Sequence, residues 1–116
     1  MAAFRFSPLA ETDLVDIATY TLQTWGEEQT IRYIDDLQAC CQTLADNPEL
    51  GHACDDVGAR LRRFETGRHV VFYRKEAEGI LVSRILHRRM LPERHSMDEE
   101  DEESTSFGPN NQSQWN

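Results

Sequence analysis

The sequence predicts an α+β domain in which a short N-terminal strand precedes an antiparallel helical hairpin packed on a small antiparallel β-sheet. Three observations predict it. Apolar residues recur at helical spacing through two adjacent segments of the N-terminal half. A single glycine separates those segments, and so short a connection folds the helices back on each other. From Arg60 onward the pattern changes to short β-rich runs punctuated by hairpin turns.

Each element follows from its residues. Ala3-Phe4-Arg5-Phe6 alternates as a short strand does, and is expected at an edge of the sheet. Ser7 is suited to cap the first helix, with Pro8 at its first position, where the missing N–H is not needed. Leu14, Ile17, Ala18, Thr21 and Trp25 form the apolar stripe of that helix, and Gly26 ends it. The second helix opens with Glu27-Glu28 and repeats Ile31, Ile34, Leu37, Cys41, Leu44 and Ala45. Asn47-Pro48 stops it, because proline cannot continue the hydrogen-bond ladder. Glu49 to Ala59 has no periodicity and reads as a surface loop. Strands are expected at about 60–65, 69–75 and 79–87, turned by Thr66-Gly67 and by Glu76-Ala77-Glu78-Gly79. Val70 to Tyr73 is apolar on both faces, as befits a central strand. In the last strand Val82 and Leu86 compete with Leu81 and Ile85 for the inward face.

Charge is distributed unevenly. Residues 1–59 carry a net charge of −9, residues 60–95 of +6 and residues 96–116 of −6. A basic sheet therefore lies between acidic segments, a pattern that bears on partners rather than on the fold. The Ser/Asn/Gln-rich stretch 96–116, with six consecutive acids from Asp98 to Glu103, has no apolar face to bury and reads as a disordered tail. The ordered domain is thus expected over 1–95. No secretory leader and no apolar run of about 20 residues is visible, so a cytoplasmic protein without membrane contact is expected. Cys40, Cys41, His52 and Cys54 match no zinc-ligand spacing, since adjacent helical cysteines point about 100° apart. No metal or other cofactor is expected, and no phosphate-binding loop or dinucleotide fingerprint occurs.

Several runs, in this order and spacing, resemble the ParE branch of the ParE/RelE toxin superfamily (the plasmid stabilisation protein family). They are Phe6-Ser7-Pro8-Leu9-Ala10 with Asp13-Leu14 and Ile17, then Tyr33, Leu37 and Leu44 to Gly51. Leu61-Arg62-Arg63-Phe64, Gly67 to Arg74, Ile85 to Met90 and Pro92 to His95 complete the set. The resemblance spans about residues 4–95. It implies the toxin of a type II toxin–antitoxin module, held inactive by a ParD-like antitoxin that wraps its helices and sheet. Several such toxins inhibit growth by poisoning DNA gyrase, which implies inhibition by binding rather than by catalysis and no sequence-specific DNA binding by the toxin alone.

On this reading Arg60, Arg62, Tyr73, Arg84, Arg88, Arg89, Met90 and Arg94 are candidates for contact with the target, since arginine forks among apolar anchors suit such interfaces. Trp25, Tyr33, Arg63 and Arg74 are candidates for contact with the antitoxin. Core packing is the competing role for the aromatic residues. The alternative is a RelE-like ribosome-dependent mRNA endoribonuclease using Arg62, Arg84, Arg88, His87 and His95. Against it, the position of the aromatic or His–Tyr pair of RelE-like chains reads Glu93-Arg94-His95-Ser96. A third reading is a degenerate, non-toxic antitoxin-binding module. The acids Asp98, Glu99, Glu100, Asp101, Glu102 and Glu103 are expected to be able to fold back on the basic sheet.

Overall fold

The computed structural model describes residues 2–89. Strand β1 (Ala3–Phe6) leads into helix α1 (Pro8–Trp25) and helix α2 (Glu27–Asp46), followed by a 3₁₀ turn (Pro48–Leu50). Strands β2 (His52–Ala53), β3 (Arg62–Thr66), β4 (His69–Glu76) and β5 (Gly79–His87) complete the fold. The α+β architecture of two helices and a five-stranded sheet agrees with the sequence reading.

The sheet order is β1-β5-β4-β3-β2. β5, β4, β3 and β2 pair antiparallel, but β1 lies parallel to β5, so the sheet is mixed rather than antiparallel throughout. β1 does occupy an edge, as expected. β2 is a two-residue strand inside the segment read as loop, and β3 begins at Arg62 because Arg60 adopts a left-handed turn conformation (φ 57°).

Ser7 joins the layers. Its side chain accepts the Ala10 N–H at 3.0 Å, capping α1, and donates to the Ser83 carbonyl at 2.8 Å. Gly26 (φ 95°) makes the one-residue link between the helices, a backbone conformation that disfavours any side chain. Gly79 (φ 150°) brings β5 against β1 so closely that a Cβ would overlap the Ala3 carbonyl.

A bulge in β5 resolves which of its residues face inward. Phe72 pairs with Arg84 but Tyr73 pairs with Val82, so Ser83 is the extra residue. His69, Val71, Tyr73 and Lys75 share one face of β4, opposite His87, Ile85, Val82 and Ile80. His69 meets Tyr33 of α2, which makes this the helix-facing side. The competing sets are each half right: Val82 faces inward before the bulge and Ile85 after it. Ile17, Leu37, Cys41 and Leu44 pack on this face, all at most 2% exposed. Trp25 and Ile31, assigned to the apolar stripes by spacing, instead stand exposed at 54% and 56%. Among the described residues no helix is long and apolar enough to cross a membrane.

Candidate functional site

The basic residues divide into those the fold uses and those it presents. Arg84 belongs to the first group. β1 covers the edge of β5 only as far as Val82, whose carbonyl takes the Ser7 N–H. Beyond that point the carboxylate of Asp13 replaces the missing strand and accepts the Ile85 N–H at 2.9 Å. The same carboxylate takes a forked bond from Arg84, Nε at 2.8 Å and Nη2 at 3.0 Å. Asp13 and Arg84 are 6% and 7% exposed, so this is a buried, fully oriented ion pair. Arg84 therefore cannot present its guanidinium to a target or to a phosphorane, which corrects both roles proposed for it.

Tyr73 requires the same correction. It is completely buried, and its hydroxyl donates to the Pro48 carbonyl at 2.8 Å and accepts the Gly51 N–H at 2.9 Å. It fastens the exit loop of α2 to the sheet instead of anchoring a partner. Arg62 donates through Nη2 to the carbonyls of Glu49 and Gly51, in the same loop. Arg74 donates to the Ala59 carbonyl and the Ser83 hydroxyl, and Arg63 stacks 5.6 Å from the Phe72 ring centroid. Arg60 is exposed on a turn held by Asp55. Met90, Arg94, His95 and the acids 98–103 lie outside the described residues.

The second group converges at one end of the sheet. The Arg88 N–H donates to the Arg68 carbonyl at 2.9 Å, so the β3–β4 turn and the end of β5 are joined. Arg68, Arg88 and Arg89 are all exposed there. Beside them lies a cavity of about 280 Å³ lined by Tyr20, Thr21, Trp25, Gln29, Tyr33, Arg68, His69 and His87. The guanidinium of Arg68 sits 5.2 Å from the Trp25 ring centroid, a cation–π contact at its mouth. Inside, the Tyr33 hydroxyl accepts the Arg68 N–H at 3.0 Å and meets His69 Nδ1 at 2.6 Å. His69 packs edge-on against His87, its register partner, at 5.4 Å.

Electrostatics keep both imidazoles neutral. Burial, then His87 and Arg68, push His69 down to about 3. Burial, then Arg89, Arg68 and Arg88, lower His87. Its Nδ1 accepts the Arg89 N–H at 3.1 Å, so the proton of the neutral ring resides on Nε2. Tyr33 is raised, chiefly by burial, with the Arg68 N–H opposing. The site thus offers a cationic rim and an aromatic, uncharged interior. Trp25, Tyr33 and His87 among the sequence candidates line this cavity, and Arg88 and Arg89 follow His87 at the same end of the sheet. Arg68, His69, Tyr20 and Gln29 were missed. The one available signal was the Thr66-Gly67 turn, which places Arg68 and His69 directly after the hairpin. Among the described residues no three His, Cys, Asp or Glu side chains converge as metal ligands.

Known proteins resemble this chain over the same region. Residues 4–92 match the family described as the ParE toxin of the type II toxin–antitoxin system parDE. Toxin ParE1 of Mycobacterium tuberculosis (strain CDC 1551 / Oshkosh) is 37% identical over 93 residues, covering 79% of this chain and 95% of the relative. Toxin ParE1 of Caulobacter vibrioides is 39% identical over 95 residues, covering 82% and 98%. A solved structure titled as a chromosomal ParDE TA system from P. aeruginosa shares the fold, with TM-score 0.63 at 18% identity over 75% of this chain and 96% of the other. The chain belongs to the ParE toxin family of type II toxin–antitoxin systems.

Proposed function

We propose that this ParE-family chain arrests growth by binding a cellular target, DNA gyrase, through the arginine-rich end of its sheet, and that a ParD-like antitoxin restrains it from the helical side. The observation that carries the reading is a pair of exposed surfaces of different chemistry that adjoin at Trp25. Arg68, Arg88 and Arg89 supply guanidinium forks at one end, suited to carboxylates of a protein target. On α1, Val15, Leu22 and Trp25 are 63%, 51% and 54% exposed and fall within an arc of about 80°. An exposed apolar stripe on a helix suits the apolar face of a partner helix. Trp25 belongs to both surfaces, so a partner seated on α1 would crowd the arginine end as well.

Catalysis is the less supported reading, because two of its three arginines, Arg62 and Arg84, are engaged in structural bonds. The test is induction of the chain alone in a bacterial host. Replication arrest with an SOS response and gyrase–DNA cleavage complexes is the expected outcome. Rapid translation arrest with ribosome-dependent mRNA cleavage would replace this reading with the nuclease. An absence of any growth defect would identify a non-toxic antitoxin-binding module. Co-expression with an acidic neighbouring reading frame is expected to restore growth, and Leu22→Asp is expected to weaken that rescue at least tenfold.

A further inference from the structure

We propose that the cavity between the helical hairpin and the sheet end is a docking site for an aromatic side chain preceded by carboxylates, and that the chain's own segment 98–107 occupies it. Three observations point to this occupant. The first is the shape and chemistry of the cavity. At about 280 Å³ it has room for one aromatic ring, and Tyr20, Trp25 and Tyr33 provide the walls that such a ring stacks on. His69 and His87 line it as neutral imidazoles, so its wall on the sheet side carries no charge that would need a counter-ion.

The second observation is the charge at the mouth. Arg68 lines the cavity, and the exposed Arg88 and Arg89 directly follow His87 of its wall, so three arginines stand at this end of the sheet. Glu65 on β3 pairs with Arg88 at 3.7 Å, and Asp36 on α2 acts on Tyr33. An exposed basic end with Arg68 on the cavity itself is complementary in charge to a run of acids, whose carboxylates can take forked bonds from arginine.

The third is where the chain goes next. The Arg89 N–H is bonded to His87 on the cavity wall, so the chain leaves β5 at the opening itself. Six consecutive acids follow at Asp98 to Glu103, and Phe107 comes four residues after them. The contour from Arg89 to Phe107 is roughly 60 Å, ample to turn back over the opening. A tethered ligand at such short range has an effective concentration in the millimolar range, so weak contacts suffice for occupancy. The Arg68 face of Trp25 and the arginine rim would then be shielded by the segment. This inference does not depend on the identity of the target.

The experiment uses the full chain with Trp115→Phe, which leaves Trp25 as its one indole. Acrylamide quenching of Trp25 is measured in that chain and in two further variants. One replaces the six acids with Asn and Gln, and the other is Phe107→Ala; both leave the folded core untouched, which circular dichroism checks. Each is expected to raise the quenching constant of Trp25 at least twofold. The acid-bearing chain should show the same rise in about 1 M salt, where the Debye length is roughly 3 Å. Equal quenching in all three chains overturns the proposal. A rise with the neutralised run but none with Phe107→Ala places acids on the rim without a ring in the cavity, and overturns the site assignment.

Discussion

The Asp13–Arg84 pair gives the most searching test of how the basic residues are allotted. Removing one partner of a buried ion pair leaves an uncompensated charge and costs about 3–5 kcal/mol. Domains of this size are stable by about 5–15 kcal/mol, so Arg84→Met alone is expected to remove about a fifth or more of the total. Asp13→Leu should cost more still, because the Ile85 N–H also loses its acceptor, worth about 1–3 kcal/mol when buried. The combination Asp13→Asn with Arg84→Met behaves differently. The amide oxygen of asparagine still accepts the Ile85 N–H, and no net charge remains in the site. That double variant is expected within about 2 kcal/mol of the parent, and therefore more stable than Arg84→Met alone.

Urea unfolding followed by far-UV circular dichroism measures all four chains. With a slope near 1–3 kcal/mol per molar urea, Arg84→Met moves the midpoint by about 1–5 M and Asp13→Leu by at least as much. Losses under about 1 kcal/mol for both single variants would refute the structural role. So would a double variant no more stable than Arg84→Met alone, since removing the stranded carboxylate charge must recover part of the loss. The folded double variant then decides function as well. Toxicity equal to that of the parent is expected, because Arg84 contributes only to the fold; loss of toxicity without loss of stability would return Arg84 to the target-binding surface.

Two further outcomes follow from the same geometry. His69 titrates near 3 in the fold against 6.5 when unfolded, so below pH 6.5 the unfolded chain binds the extra proton. Its contribution is complete above pH 6.5 and is lost on acidification toward pH 3, by at most about 1.4 kcal/mol per pH unit, roughly 2 kcal/mol between pH 7.5 and pH 5. His69→Gln should flatten that dependence in denaturation curves taken at the two pH values, and an unchanged slope would contradict the buried neutral imidazole. Gly51→Ala is expected to lower the melting temperature by at least several degrees, because its Cβ would meet the Tyr73 hydroxyl and lie 2.7 Å from the Arg63 carbonyl oxygen. Pairing Gly51→Ala with Tyr73→Phe, which removes the obstructing hydroxyl, should cost less than the sum of the two changes.

The helices were legible because their information is local: Ser7-Pro8, Gly26 and Asn47-Pro48 mark their ends within a residue or two of where they fall. The parallel pairing of β1 was not, because strand direction in a sheet is set by what lies between Phe6 and Gly79 rather than by either segment. A two-residue strand such as β2 is below any detectable period. Trp25 and Ile31 have helical spacing, yet both lie near the helix–helix turn and stay exposed there. At the site, Arg84 and Arg88 look equivalent in sequence, four residues apart in one basic strand. What separates them is a carboxylate 71 residues from Arg84, supplied by a helix that a sequence pattern cannot place. The His69–His87 pair is likewise visible only once register is known.

That allotment alters where the positive potential of this toxin resides. A basic sheet read from composition is a face, with every arginine contributing to one broad field. In the fold, Arg62, Arg63, Arg74 and Arg84 turn their charge toward carbonyls, a ring and a buried carboxylate, where each orders a loop or an edge. The exposed Arg68, Arg88 and Arg89 gather instead at the tip where β4 starts and β5 ends, with Arg68 beside Trp25. A partner attracted by charge is therefore guided to an end of the molecule rather than to its sheet face. Charge reversal at the tip, as in Arg88→Glu with Arg89→Glu, should weaken association without moving the unfolding midpoint. Reversal at Arg84 should do the opposite, because there the charge is part of the fold.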